Sequence, residues 1–364
     1  MDIHKILFAS LALMAVSCTS RIDYRSGLEE SLLVVNARLR MDESRHAVSV
    51  SLSSLRESAC QDLTDAQVDV FINGKYHSSA EYYVLGKPDD DYSWFLYHSG
   101  AIERRPGYYF DAEFHEGDEI RFEVSRGDLH ASATTIMPKA VGLMSIDTIM
   151  VKECPYFDNP DALKCSIKMR DVHGESNYMR LMAEYHVDLT RHHGPTPQYD
   201  TLEMWSTIKP TMYFDDDPVL RGNFHSSREQ EAIRETDLNL PLVTNKYCIF
   251  PDTGFSDSEY TADIYLKETV FYNPEPGYPF PRTMNSSLSF NLITMNHDEY
   301  LYMLAYTNAE TNGMLHSGEV ITQILFEPIT FPCNVEGGLG FVCAENVSSI
   351  RFDFPQKYIP AETN

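Results

Sequence analysis

Apolar and polar residues alternate along most of this chain, in short runs separated by turn residues. Val48, Val50 and Leu52 alternate with serines. Val68, Val70 and Ile72 alternate with Gln67, Asp69 and Phe71, and Ile120, Phe122 and Val124 follow the turn Glu116-Gly117-Asp118. A period of two residues turns one side of each run to a core and the other to solvent, as in a half-buried strand. Leu33 to Leu39, Tyr82 to Leu85, Trp94 to Tyr97, Tyr108 to Phe114 and Leu129 to Ala133 add further runs, and Asn73-Gly74 marks a tight hairpin turn. About eight short strands in about 110 residues, uninterrupted by a helical period, predict a β-sandwich.

Pro138 to Gly142 reads as a junction, after which strands resume with Met144, Ile146, Ile149 and Val151. The clearest run follows at Met179, Leu181, Ala183, Tyr185, Val187 and Leu189, with Arg180, Glu184, His186 and Asp188 on its other face. Ala262/Ile264/Leu266, Leu288/Phe290/Leu292 and Ile350/Phe352/Phe354 predict later strands, joined by long polar connections at His192 to Thr201 and Asp215 to Asn239. One helix stands out. Asn296 precedes His297-Asp298-Glu299 as an N-cap with a glutamate at the third helical position; Tyr300, Leu301, Leu304 and Asn308 share a face, and Gly313 is a stop. Ser226 to Arg234 suits a second, short and very polar helix. The expectation is an all-β chain. Residues 30–139 form an Ig-like β-sandwich able to fold alone, and residues 140–364 a larger β-rich sandwich or barrel-like domain with one or two short helices.

The N-terminus departs from this pattern. Lys5 precedes an apolar run from Ile6 to Val16 broken only by Ser10, then Ala15-Val16-Ser17-Cys18. A basic residue, an apolar stretch and small residues before a cut site make a secretory signal, and the run is shorter than the ~20 residues that span a membrane. Residues 1–17 read as the signal, Cys18 as the site of lipidation, and residues 18–29 as a polar tether. Acyl chains contribute about 0.8 kcal/mol per buried methylene, so more than one chain on Cys18 gives a stable membrane anchor. An ordinary secretory signal that happens to end in cysteine is the competing reading.

A net charge of −25 argues against nucleic acid and against anionic lipid surfaces, both of which attract basic patches. Export permits disulfides. Cys154 and Cys165 bracket Asp158-Asn159-Pro160-Asp161, and Cys333 and Cys343 bracket Glu336-Gly337-Gly338, so each pair is a candidate cross-strand bridge. Buried free thiols fit the same spacing. Without a C-x-x-C, neither zinc nor thioredoxin-like chemistry is suggested.

No catalytic constellation is legible: G-x-S-x-G, H-E-x-x-H, the P-loop and G-x-G-x-x-G are all missing from the sequence. Nothing indicates a cofactor. Asp89-Asp90-Asp91 and Asp215-Asp216-Asp217 are compact, but adjacent aspartates do not converge on one calcium ion unaided, and solvated loops are the simpler reading. His186, Asp188, His192 and His193 fit surface histidines better than a metal site. The loop Tyr272-Asn273-Pro274-Glu275-Pro276-Gly277-Tyr278-Pro279-Phe280-Pro281 is stiffened by prolines, and Tyr272, Tyr278 and Phe280 are candidate partner contacts because rigid aromatics lose little entropy on binding.

Several segments in order resemble the Bacteroidetes-type lipoproteins called domain of unknown function 4249. They are Leu32-Leu33-Val34-Val35-Asn36-Ala37, Ala66 to Gly74, Asp128 to Pro138, Asp171 to Met179 with Ser176-Asn177-Tyr178, Asp216-Asp217-Pro218-Val219-Leu220, Phe250-Pro251-Asp252, Glu299-Tyr300-Leu301-Tyr302, Glu327-Pro328 and Asn334-Val335-Glu336-Gly337-Gly338-Leu339-Gly340-Phe341. The resemblance implies an outer-membrane lipoprotein whose gene often neighbours that of a TonB-dependent receptor, hence a helper or ligand-capture role. It offers no catalytic residues. Cys333, Cys343 and the Pro-rich loop depart from its pattern. A surface adhesin or assembly component, and a hydrolase of unrecognised type, are the alternatives. Surface exposure is favoured over the periplasmic face, although Thr19-Ser20-Arg21-Ile22-Asp23 carries a single acid.

Overall fold

The computed structural model describes residues 31–53, 61–84, 106–152, 154, 156, 161–192, 201–234, 242–267, 282–311 and 330–359. The signal, Cys18, the tether, Trp94 to Tyr97 and the aromatics Tyr272, Tyr278 and Phe280 lie outside the described residues.

The chain is all-β. Its first part gives β1 (Leu33–Arg40), β2 (Arg45–Leu52), β3 (Gln61–Asp62), β4 (Gln67–Ile72), β5 (Lys75–Ser79), β6 (Glu81–Val84), β7 (Pro106–Asp111), β8 (Glu119–Arg126) and β9 (Leu129–Ile136). There follow β10 (Gly142–Val151), β11 (Ala162–Arg170), β12 (Tyr178–His192), β13 (Thr201–Ile208) and β14 (Met212–Tyr213). Helices α1 (Pro218–Arg221) and α2 (Ser227–Arg234) precede β15 (Ile249–Pro251), β16 (Glu259–Lys267) and β17 (Arg282–Met295). The chain ends with α3 (His297–Thr311), β18 (Val335–Glu336), β19 (Leu339–Asp353) and β20 (Lys357–Ile359).

One 11-stranded sheet is the common layer, in the order β13-β12-β17-β19-β1-β2-β7-β6, with β15, β20 and β3 on its flanks. The 5-stranded sheet β18-β9-β8-β4-β5 packs on the β1, β2 and β7 end, burying Val35, Val50, Phe110, Ile120, Phe122 and Val124 between the layers. The 4-stranded sheet β10-β11-β16-β14 packs on the other end, burying Ile167, Met169, Leu181, Tyr185, Ile264 and Phe290. Two sandwich-like cores thus share a sheet.

Strand β19 joins them. Its first half pairs in parallel with β1, from Val34↔Leu339 to Arg40↔Glu345, and its second half pairs antiparallel with β17, from Met295↔Glu345 to Ser287↔Asp353. Val335, Val342 and Ala344 complete the first core, while Ile350 and Phe354 pack on the second. Segment 30–139 therefore holds only part of the core it belongs to.

The alternating runs become β1, β2, β4, β8, β9, β12 and β16, each with its apolar face buried. Asn73 and Gly74 both take positive φ, 53° and 73°, as the hairpin between β4 and β5 requires. The described part of the polar connection, Asp215 to Arg234, carries two capped helices. Asp217 accepts from Val219 N and Leu220 N at the start of α1. Ser226 and Glu229 exchange side-chain-to-backbone bonds at the start of α2, a reciprocal capping box.

Neither candidate disulfide is made: Cys154, Cys165, Cys333 and Cys343 are free, as is Cys248, and free thiols are the other reading that the spacing fits. Cys165 is locked in the middle of β11 between Thr148 and Ile264, wholly buried in the second core. Cys343 lies in the β1–β19 pair with its Sγ 3.6 Å from Ala37 O, while exposed Cys333 turns its Sγ toward Val335 O. Cys333 is exposed and Cys343 buried, a difference that spacing along the chain could not reveal.

Candidate functional site

Alternation within the central sheet sends the odd positions of β1 into the first core and leaves Asn36, Arg38 and Arg40 on the opposite face. By the same rule Phe341, Cys343 and Glu345 of β19, and Arg180 of β12, avoid the two cores. Helix α3 lies against this second face. Tyr300 stacks on Tyr178 at 4.9 Å, Tyr302 stacks on Phe341 at 4.9 Å, and Tyr306 meets Tyr247 edge-on at 5.7 Å.

Beneath the helix lies a layer of charge. Arg38 Nε donates to Glu345 Oε1 at 2.7 Å, and Arg38 Nη2 lies 2.7 Å from Glu345 Oε2. The Glu345 side chain is 2% exposed and that of Arg38 is 45% exposed, so the guanidinium links solvent to a buried carboxylate. Burial alone would lower the Arg38 guanidinium, but the charge and hydrogen bonds of Glu345 outweigh it and hold it above its ordinary value.

Glu299 enters the layer from α3. It is 5% exposed, and its Oε2 has no hydrogen-bond partner. Burial, then the adjacent charge of Glu345 and the hydrogen bond between the two, push the Glu299 carboxyl well above the usual range; Arg38 opposes this. Two carboxyls in contact hold one proton more readily than two charges. The thiol of Cys343 is pushed up by burial and by both glutamates, which makes it a poor nucleophile.

Arg180 completes the layer. Its guanidinium carbon lies 5.4 Å from the centre of the Tyr247 ring, and its buried Nε makes no hydrogen bond. Burial and the nearby charge of Arg38 lower it from its ordinary value. At the far end of the helix, Tyr247 donates to Glu310 Oε2 at 2.9 Å and Lys246 Nζ lies 3.4 Å from Glu310 Oε1.

The helix begins where the sequence indicates, but not by the expected device. The Asn296 side chain donates to Thr135 Oγ1 and Ile136 O, tying the helix start to β9, and Glu299 points into the charged layer. Arg38, Arg180 and Glu345 were not singled out from sequence. The available signal was a glutamate directly after the apolar run Phe341-Val342-Cys343-Ala344.

Other conspicuous motifs are local clamps. Asn177 N donates to Asp252 Oδ2 at 2.7 Å, Asp252 N donates back to Asn177 O at 2.9 Å, and Asn177 Nδ2 reaches Asp171 Oδ1. The three aspartates at 215–217 are not a solvated cluster: Asp215 and Asp217 are buried. Asp215 accepts from Ser227 N, Asp217 caps α1 and takes the Tyr260 hydroxyl, and Asp216 takes that of Tyr156. Each carboxylate serves a different partner. His186 Nδ1 lies 3.0 Å from Thr207 Oγ1. Among the described residues no His, Cys, Asp or Glu group is arranged to hold a metal ion, and no helix is long and apolar enough to cross a membrane.

The segments that carried the family resemblance meet in space. Asn36 Oδ1 accepts from Phe341 N, Asn334 bonds both N and O of Val342, and Glu299 of the Glu-Tyr-Leu-Tyr motif meets the strand that follows them. No curated protein matches the chain. Residues 19–351 match the model of the family described as domain of unknown function (DUF4249), and the chain belongs to that family.

Proposed function

We propose that this protein is a lipid-anchored accessory or ligand-capture protein of the outer membrane, working with a TonB-dependent transporter and performing no catalysis. The observation that carries the reading is the cysteine at 18, directly behind an apolar signal and the small residues Ala15, Val16 and Ser17. The charged layer agrees with a non-catalytic role. Its carboxyls are buried under α3 and face each other and Arg38, so the layer serves helix docking. The protein sits on the outer face of the membrane, where its acidic surface is solvated.

Membrane extraction and co-purification test this. A transporter should be recovered with the wild-type protein, and Cys18→Ala should abolish both palmitate labelling and membrane retention. Replacing Tyr272, Tyr278 and Phe280 by serine should reduce partner recovery without lowering the melting temperature. Palmitate labelling of Cys18→Ala at the wild-type level would defeat the anchor. Protease shaving of intact cells reads the leaflet, and full protection would place the protein on the periplasmic side.

A protein-binding role in adhesion or assembly draws support from β10. This strand ends the 4-stranded sheet and exposes Met144 (42%), Ile149 (62%) and Met150 (48%), and apolar edge strands are ready templates for strand addition. Recovery of fimbrial or adhesin subunits in place of a transporter would select it.

A further inference from the structure

We propose that Glu299, Glu345 and Arg38 form a proton-operated latch that fastens α3 to the central sheet, closed while the two carboxyls share one proton and loosened when that proton is lost. The geometry carries this. Glu299 is the acidic group that α3 sends into the layer, and it arrives beside a second carboxylate already committed to Arg38 through two nitrogens. Glu299 Oε2 is buried without a hydrogen-bond partner, and Glu345 Oε2 meets only the Arg38 ion pair. A protonated Glu299 donates to Glu345 and leaves one negative charge for Arg38 to balance. An ionised Glu299 puts two negative charges side by side out of water, and buried charges persist only when paired.

The groups that face Glu299 come from every element around it. From β19 there are Glu345 and Cys343, from β1 Arg38, and from β12 Arg180. Glu310, Lys246 and Tyr247 satisfy one another at the far end of α3. Arg180 is the cation available to an ionised Glu299; it lies over Tyr247, and its buried Nε has no hydrogen-bond partner. The rest of the helix docks through the half-buried pair Tyr178–Tyr300 and through half-buried Tyr302 on buried Phe341, which have no charge of their own to lose.

The direction follows from linkage. A carboxyl held above its ordinary value in the docked state binds more protons there than in the released state. Docking is therefore fully supported below the ordinary glutamate range and weakens as pH rises toward the elevated value. Release would uncover Arg38, Arg180, Tyr178 and Phe341 together on one face of the sheet. The latch rests on this geometry and is independent of the outer-membrane reading.

Amide hydrogen exchange on the full chain, expressed as protection over the intrinsic rate, is the test. From about pH 5.5 to about pH 8.5, α3 should lose protection by about tenfold per pH unit until Glu299 titrates, while β12 and β17 keep theirs. Glu299→Gln, a neutral isostere, should hold α3 with pH-independent protection. Constant α3 protection in the wild type, equal losses in Glu299→Gln, or parallel losses in β12 and β17 would each overturn the latch. Should Glu299→Gln fail to fold, Arg180→Met supplies an independent reading. Removing the reserve cation should let the loss of protection continue to higher pH before it levels off, and an unchanged or lowered end point would overturn the proposal.

Discussion

Val35 and Gly340 run side by side as register partners in the parallel pair that closes the chain's start against its end, so near that a Cβ on residue 340 would sit 2.1 Å from Val35 O. Gly340 also has φ +117°, a conformation that side chains rarely adopt. Any larger residue must push β19 away from β1, and with it the strand that both cores share.

Gly340→Ala is therefore expected to destabilise the protein by about 3 kcal/mol or more, from backbone strain and a clash that no rotamer relieves. Gly74→Ala is the control. It too has positive φ, +73°, but open space around it, and should cost about 1 kcal/mol. Urea denaturation of both variants checks the contrast. Equal losses would show that conformation alone, without the close approach, governs position 340.

A fragment ending at Pro138 should be markedly less stable than one that also carries residues 333–347 on a linker. The short fragment leaves β1 without its parallel neighbour and omits Val335, Val342 and Ala344 from its core. Burial of the two valines alone is worth about 3 kcal/mol. Thermal melts of the two fragments decide this, and identical midpoints would show that the first core is self-sufficient.

Thiol chemistry should single out one cysteine among the five described. Cys333 is exposed, whereas Cys154, Cys165, Cys248 and Cys343 are buried. Burial also pushes the Cys165 thiol up to about 12. A brief treatment of native protein with an alkylating reagent, read by peptide mass spectrometry, should modify Cys333 first. Protection of Cys333 that disappears on reduction would restore the bridge to Cys343.

Glu259 governs part of the acid response. Lys168 and Arg170 on the neighbouring strand hold its carboxyl down to about 2. A depressed folded-state value contributes stability that is present above the ordinary range, near 4.5, and lost as pH falls toward 2. Glu259→Gln should flatten the melting temperature within this window and leave the neutral-pH value almost unchanged, since exposed pairs are weak. High salt should reproduce part of the effect in the wild type. A steep acid limb retained in the variant would assign it to other carboxylates.

The sequence by itself determined the elements whose signal is local. A two-residue period in Val48-Ser49-Val50-Ser51 or Met179 to Leu189 states both the strand and its buried face, because the side chains of a strand alternate whatever it pairs with. Asn73-Gly74 states its own turn, because few residues accept consecutive positive φ. Asn296 to Glu299 marked the helix start, although tertiary contacts took over both side chains. Only the tertiary structure decided what depends on pairing between distant segments. Residue 340 returns to residue 35, so one sheet runs through both cores, and no local pattern encodes that partner. The same return brings Arg38 to Glu345, and α3 adds Glu299 to them. In its own stretch of sequence none of the three reads as part of a charged cluster. Their chemistry arises when the sheet and the helix together remove the water between them, since two carboxyls and a guanidinium influence one another strongly only at short range and low dielectric.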